Sequence, residues 1–553
     1  MKEELLEGER HSPLRARLVA GVLCLGFCAV AVKGALVSIG GVDVMAASYS
    51  AGDDAAQKMR ADILDRNGER LATSVPVYSL YADPSAVWDA GDIADKLLTV
   101  FPDLDRDTIE ARLSDPNRKF VWLKREITPV QRQAVFELGL EGIHFQEEAR
   151  RFYPQKSLAA HVVGYTDVDG LGLAGIEYAL DDRLASSMEP VRLTIDLSVQ
   201  YSLEAELSSM AAASNAKGGA GVVIDGASGE VLAMASWPTY DPNRRQDFGV
   251  EALRDRAAGS VFELGSVFKP LTVAAGLDYG LLTPRETFNV SKPITVGVET
   301  IHDDHPIPGG HAITPTTIVA QSSNIGTVQI GMRLGVDRHK RFLETLGLFD
   351  RAPVELGSSE KPLLPEDWSP ITQATVSFGH GISVSPVAFA AAFSAFANDG
   401  TYIPPTLVLD QDPLAEPREP RRVMSSPTAL VVTEMMRTAV MDGTGRRADI
   451  PGYRVAGKTG TAEKAINGVY HKDRNINSFA AVFPADDPKY TVLIVLDEPT
   501  GATGRAESAA FNSAPAAGRV VERIAPILDV MPYFEDIDPD GLQVRTVSDR
   551  RAL

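Results

Sequence analysis

A chain of 553 residues exceeds what one hydrophobic core supports, so roughly two to four domains are expected. Its 54 lysines and arginines against 74 aspartates and glutamates leave a net charge of −20, which argues against nucleic acid as a partner and against a broad docking plane for anionic lipid. The only cysteines are Cys24 and Cys28, so no disulfide and no thiol metal site is expected in the rest of the chain.

In chain order, residues 1–17 are polar and read as a cytoplasmic tail. Residues 18–42 form a run of 25 with a single charge, Lys33, long enough to span a bilayer while that lysine snorkels to the surface. Arg10, Arg15 and Arg17 precede the run, so the positive-inside bias keeps the N-terminus in the cytoplasm and exports the remainder. A cleaved signal peptide is the alternative, because Val44-Met45-Ala46 loosely resembles a cleavage site; the apolar run exceeds the usual length of about 7–15 residues. Cys24 and Cys28 share one face of this segment and read as small hydrophobes of a membrane helix. Residues 43–58 read as a tether.

Regular structure is predicted from Met59 onward. Asn67-Gly68 lies between two apolar runs and marks a hairpin, since both residues accept positive φ. Helices are expected over 93–101, 108–113 and about 129–138. The segments 160–165 and 170–177 are punctuated by glycine, which implies close backbone packing between elements. His161 reads as a structural hydrogen-bonder, because no second ligand lies at metal spacing.

A strand over 191–195 opens a second domain, followed by a helix over 197–213 and a strand–turn–strand meander over 221–235. Residues 410–422 form a surface excursion rich in proline and charge, and 429–440 a helix. Strands over 478–483 and 490–496 are joined by Pro484-Ala485-Asp486-Asp487-Pro488. This mixture predicts an α+β domain with an antiparallel sheet. The tail after Pro532 is polar and acidic.

The chemistry concentrates in Phe262-Glu263-Leu264-Gly265-Ser266-Val267-Phe268-Lys269-Pro270, a loop entering a helix that runs to about 280. Proline is tolerated in a first turn, whose N–H groups lack internal partners. Ser266 and Lys269 are three apart on one face, near enough for an amine to reach a hydroxyl, at the helix end that favours an oxyanion. A serine, a base and an anion-stabilising N-terminus are the parts of acyl transfer. Ser-x-x-Lys alone is weak, for it also occurs at Ser214/Lys217 and Ser358/Lys361 in turn-like text. The middle copy is followed by Ser322-Ser323-Asn324 and Lys458-Thr459-Gly460, each the sole instance of its pattern. The three in this order are the signature of penicillin-binding proteins and class A β-lactamases, with Ser323 where aspartate is usual.

On these motifs the chain resembles a class B penicillin-binding protein, over about residues 60–499. Further matches are Arg60 to Ala72, Tyr153 to Glu177, Phe378-Gly379-His380-Gly381, Ser385-Pro386 and Ala397-Asn398-Asp399-Gly400. Thr461-Ala462-Glu463-Lys464 and Asp497-Glu498-Pro499 look like the division (septal) type, with the elongation type as the alternative. The resemblance implies a mixed α/β (α+β) fold: a β-lactamase-like serine transpeptidase domain over 191–532 with an antiparallel sheet flanked by helices. An elongated α+β pedestal over 43–190, a transmembrane anchor over 18–42 and a C-terminal tail over 533–553 complete it. It implies a single-pass protein of the bacterial inner membrane at the division septum, catalytic domain in the periplasm. Expected partners are peptidoglycan stem peptides ending in D-Ala-D-Ala, β-lactam antibiotics, a membrane-embedded glycan polymerase and other division proteins.

The same resemblance assigns roles. Ser266 attacks the carbonyl between the terminal D-alanines; Lys269, kept neutral by burial and by a positive Lys458, takes its proton. Ser322 and Lys458 relay a proton to the leaving amine, and Asn324 holds Lys269 and the substrate amide. Thr459 and Thr461 bind the terminal carboxylate, Gly460 leaves room for the substrate strand, and the N–H groups of Ser266 and Thr461 form the oxyanion hole. Neither cofactor nor metal is implied; the group His302, Asp303, Asp304 and His305 reads as active-site rim. Rival readings are a β-lactamase or D,D-carboxypeptidase, which pass the acyl group to water, and an acyl sensor or non-catalytic division scaffold.

Overall fold

The N-terminal lobe is built on one 13-residue strand, Arg70–Ala82. The Asn67-Gly68 turn brings it back antiparallel on Ile63–Leu64, with Gly68 at φ +90° and the Asn67 and Glu69 N–H groups both donating to Asp65 Oδ1 at 2.8 Å. Its far half pairs with Val121–Ile127, and residues 73–82 pair with Ile143–Phe152. This computed structural model describes residues 59–532 apart from 411, 413–416, 467–468, 502–503 and 505–506. The expected tail, membrane span with Cys24 and Cys28, the tether, and residues 533–553 lie outside the described residues. Among those described, no helix is long and apolar enough to cross a membrane.

The three expected helices of this lobe are Ala90–Val100, Arg106–Leu113 and Pro129–Glu137. Asp89, Asp105 and Thr128 cap them by accepting from backbone N–H groups three residues on, which offsets the missing first-turn bonds. Leu97, Phe101, Leu113 and Val135 close a small core against Leu80 and Leu123. The glycine-punctuated text does bring backbones together: a Cβ on Gly164 would stand 1.8 Å from Ala174 O. His161 Nε2 donates to Ala252 O at 2.8 Å, a structural contact as expected.

Under this segment sits a buried ionic cluster with no sequence signature. Glu177, fully buried, takes Arg60 on one carboxylate oxygen at 3.0 Å and Arg151 on the other at 2.5 Å, while Arg60 also reaches Asp181 at 2.8 Å. Removing one member of such a cluster leaves uncompensated buried charge, at about 3–5 kcal/mol. Glu177→Ala is therefore expected to lower the thermal midpoint strongly in calorimetry, and a wild-type midpoint would refute that role.

The second lobe holds a five-stranded antiparallel sheet in the order Ala456–Ile466, Val469–Phe483, Tyr490–Asp497, Gly218–Asp225, Val231–Trp237. The helices Leu197–Ala213 and Ser513–Ile524 cover one face through Val199, Leu203, Val520 and Val521. Lys269–Asp278, Pro386–Phe393 and Ser426–Asp442 belong to the core on the other side. The expected strand over 191–195 differs from its prediction. Only Val191–Arg192 is strand, and it pairs in parallel with Ile63–Leu64 of the N-terminal lobe.

The reason lies in how 191–196 is bonded. On one edge Val191 N donates to Asp62 O, Leu193 N to Leu64 O, and Ile195 O accepts from Arg66 N. On the other, Arg192 O accepts from Leu409 N, Thr194 N donates to Leu407 O and Asp196 N to Leu232 O. The segment divides its hydrogen bonds between the two lobes, three to each.

Candidate active site

Ser266 occupies a 3-10 turn, Gly265–Phe268, that leads directly into the α-helix Lys269–Asp278 with Pro270 in its first turn. In a 3-10 turn residues three apart eclipse, which puts Ser266 and Lys269 on one side. Ser266 is 9% exposed and Lys269 fully buried. The amine does not bond the Ser266 hydroxyl as the spacing suggests. Lys269 Nζ turns instead to Ser322 Oγ at 3.0 Å, Asn324 Oδ1 at 2.7 Å and the Ser322 carbonyl oxygen. Ser266 Oγ has no hydrogen-bond partner among the described residues.

Ser322 receives a second amine. Lys458, also fully buried, donates from Nζ to Ser322 Oγ at 2.9 Å and to Thr459 O at 2.9 Å. The serine holds this position with φ +60°, a left-handed backbone that costs about 1–3 kcal/mol for a non-glycine residue and is characteristic of functional sites. Ser323 caps the helix Asn324–Leu334 by accepting from Gly326 N at 2.9 Å. Its hydroxyl donates to the Asp303 carboxylate at 3.0 Å, which also accepts from Ile325 N at 3.0 Å. Asn324 Nδ2 donates to His302 O at 3.0 Å.

Burial penalises an ammonium, and it brings Lys269 down to about 7, opposed by the carboxylates of Asp304 and Asp303. Lys458 is held well below its ordinary value by burial and then by the charge of Lys269. The repulsion between the two amines is mutual, so each disfavours the charged form of the other. Two amines bracketing one hydroxyl titrate as a pair, and one proton shared between them is the state that avoids like charges.

The edge strand Ala456–Ile466 carries the remaining candidates. Thr459 Oγ1 lies 2.7 Å from Thr444 Oγ1, and Thr461 Oγ1 accepts from Ala509 N at 3.1 Å, which leaves the Thr461 proton free to point elsewhere. The room at Gly460 is needed by the fold: a Cβ there would meet Leu264 O at 2.2 Å and Ser478 Oγ at 2.3 Å. All eight candidates, Ser266, Lys269, Ser322, Asn324, Lys458, Thr459, Gly460 and Thr461, come from the nucleophile turn, one helix N-terminus and this strand. In the other two Ser-x-x-Lys copies, as in this one, the serine makes no hydrogen bond to its lysine, and their partners lie elsewhere. Ser214 donates to Met210 O and Lys217 meets Glu498, while Ser358 donates to Asp255. Asp303, expected only on the rim, holds Ser323 from 20 residues upstream, and no motif marks it, Thr444 or Ala509 in the sequence.

A serine at a helix entry, two buried lysines about a second serine and a threonine-bearing edge strand make up the candidate active site of a penicillin-interactive domain. Residues 219–516 match the penicillin-binding protein transpeptidase domain and residues 55–198 the penicillin-binding protein dimerisation domain. The chain belongs to the penicillin-binding proteins, in their class B, division-type branch. It is 41% identical over 545 residues to a protein of Caulobacter vibrioides named probable peptidoglycan D,D-transpeptidase FtsI, covering 94% of this chain and 90% of that one. It is 31% identical to peptidoglycan D,D-transpeptidase FtsI of Escherichia coli, covering 86% and 84%. Penicillin-binding protein 3 of Mycobacterium tuberculosis, solved in complex with aztreonam, has a similar structure: TM-score 0.68, 29% identity, 89% of this chain and 100% of that one.

Proposed function

We propose that the protein is a peptidoglycan D,D-transpeptidase that cross-links stem peptides at the division septum through a serine acyl-enzyme, and that β-lactams acylate the same serine. The observation that carries this reading is the pair of buried amines on Ser322 Oγ, one of them from the lysine one turn after Ser266, whose hydroxyl has no hydrogen-bond partner among the described residues. Neutral Lys269 takes the Ser266 proton as Oγ attacks the D-alanyl carbonyl carbon. The tetrahedral oxyanion rests on the N–H groups of Ser266 and Thr461, and each such donor contributes about 2.7–4 kcal/mol. The C–N bond breaks, and the proton passes through Ser322 and Lys458 to the departing D-alanine amine. Asn324 holds Lys269 and the substrate amide, and the Thr459 and Thr461 hydroxyls bind the terminal carboxylate. An amine of a second stem peptide then takes the acyl group.

The apolar run 18–42 anchors the chain in the inner membrane with residues 43–190 as pedestal and 191–532 as the periplasmic transpeptidase domain. A membrane-embedded glycan polymerase and other division proteins are the partners this arrangement suits. Labelling by a fluorescent penicillin tests the enzyme reading. Stable covalent label on the wild type, absent from Ser266→Ala, is the expected result. A folded wild type that takes no label would favour a scaffold, and rapid loss of label would favour a β-lactamase.

A further inference from the structure

One exposed carboxylate at this centre works against the step the lysines serve. Asp304 pulls both Lys269 and Lys458 upward, against the burial that keeps them neutral. Its neighbour Asp303 is engaged in holding Ser323 and Ile325. Asp304 has only a 3.5 Å approach to Asn324 Nδ2, and it makes no ion pair among the described residues. It is one side chain away from the base, because the same Asn324 accepts from Lys269 at 2.7 Å. The Asp304 charge also acts on the His380 ring, which lies 5.2 Å from Phe378 and 6.1 Å from Tyr470 and whose buried Nδ1 has no hydrogen-bond partner.

The second substrate supplies a reason for that charge. A primary amine in water near neutral pH is mostly an ammonium, and here it must approach two lysines that share a proton. Like charges at such separations repel appreciably in a partly buried cleft, and a carboxylate at the mouth offsets this. We propose that Asp304, exposed beside Asn324, forms the acyl-acceptor subsite and binds the ammonium of the incoming stem peptide. This rests on the transpeptidase reading above. The bound ammonium releases one proton to solvent. Its nitrogen lone pair then forms the new C–N bond, the ester C–O bond to Ser266 breaks, and the second nitrogen proton ends on Ser266 Oγ. Asp304 exchanges no proton; it selects cationic acceptors over neutral ones.

The test uses the full chain, a small D-alanyl thioester donor, and two competing acceptors, glycinamide (cationic) and methanol (neutral). Asp304→Asn is expected to lower transfer to glycinamide by about fivefold at low ionic strength, as for an exposed charge pair. Added salt should shrink the difference. Transfer to methanol and acylation by fluorescent penicillin should not fall, since the lysines lose an opposing charge, and Asp304→Glu should recover glycinamide transfer. Equal losses with both acceptors, or unchanged glycinamide transfer, would overturn the subsite. A wild type that penicillin does not label overturns the transpeptidase reading itself, and this inference with it.

Discussion

If Lys269 is the base as proposed, Lys269→Ala is expected to slow acylation by penicillin by about 10²–10⁴, the usual contribution of a positioned general base. The loss falls on the acylation rate constant, since Ser266 and the edge strand that receives the substrate are unchanged. Lys269→Arg does not rescue it, because a guanidinium stays protonated and cannot accept the serine proton. The wild type supplies the matching pH profile. Acylation needs the neutral amine, so its rate rises as pH climbs through about 7, where burial places Lys269, and falls away below it. Stopped-flow acylation with a chromogenic cephalosporin between about pH 5 and pH 9 measures both effects. A flat profile in that range, or a Lys269→Ala rate near wild type, would remove Lys269 as the base.

Gly379→Ala is expected to damage stability and acylation together. Gly379 sits at φ +85°, and a Cβ there would stand 2.1 Å from Gly265 O and 2.8 Å from the Phe268 ring. The left-handed backbone and the overpacking together cost about 2–5 kcal/mol. Relief requires the turn bearing Ser266 to move, and a displacement of about 1 Å at a reacting group costs about 10²-fold in rate. Gly381→Ala is the control: φ is +77°, but the nearest atom to its Cβ is Thr375 Oγ1 at 3.6 Å, so only the conformational cost applies. Equal acylation rates for the two variants would show that the clash with Gly265 is not what matters.

The candidate site was largely legible because its residues arrive in short fixed spacings: one turn, one helix start and one strand. The Asn67-Gly68 hairpin and the strands over 478–483 and 490–496 were legible for the same local reason. Features fixed by distant contacts were not. Lys269 turning to Ser322 rather than Ser266 depends on a helix 53 residues further on. The strand Val469–Phe483 runs well past its predicted start, since His471-Lys472-Asp473-Arg474 places charge on both faces and hides the alternation. Helix Ser513–Ile524 contains Pro515 and Gly518, which weaken its local signal, yet it packs tightly on the sheet. The strand over 191–195 was legible as extended chain, but which lobe its edges serve is decided by residues up to 409.

That two-edged segment has a mechanical consequence. A hinge needs a stretch whose torsions can change without breaking bonds, and 191–196 offers none while six backbone hydrogen bonds clamp it from both sides. At about 1 kcal/mol net apiece, opening either edge costs roughly 3 kcal/mol before any side chain moves. A torque applied to the strand Arg70–Ala82 is therefore transmitted, like rotation through a splined shaft, into the Val231–Trp237 side of the catalytic sheet. Whatever grips the N-terminal lobe grips the enzyme.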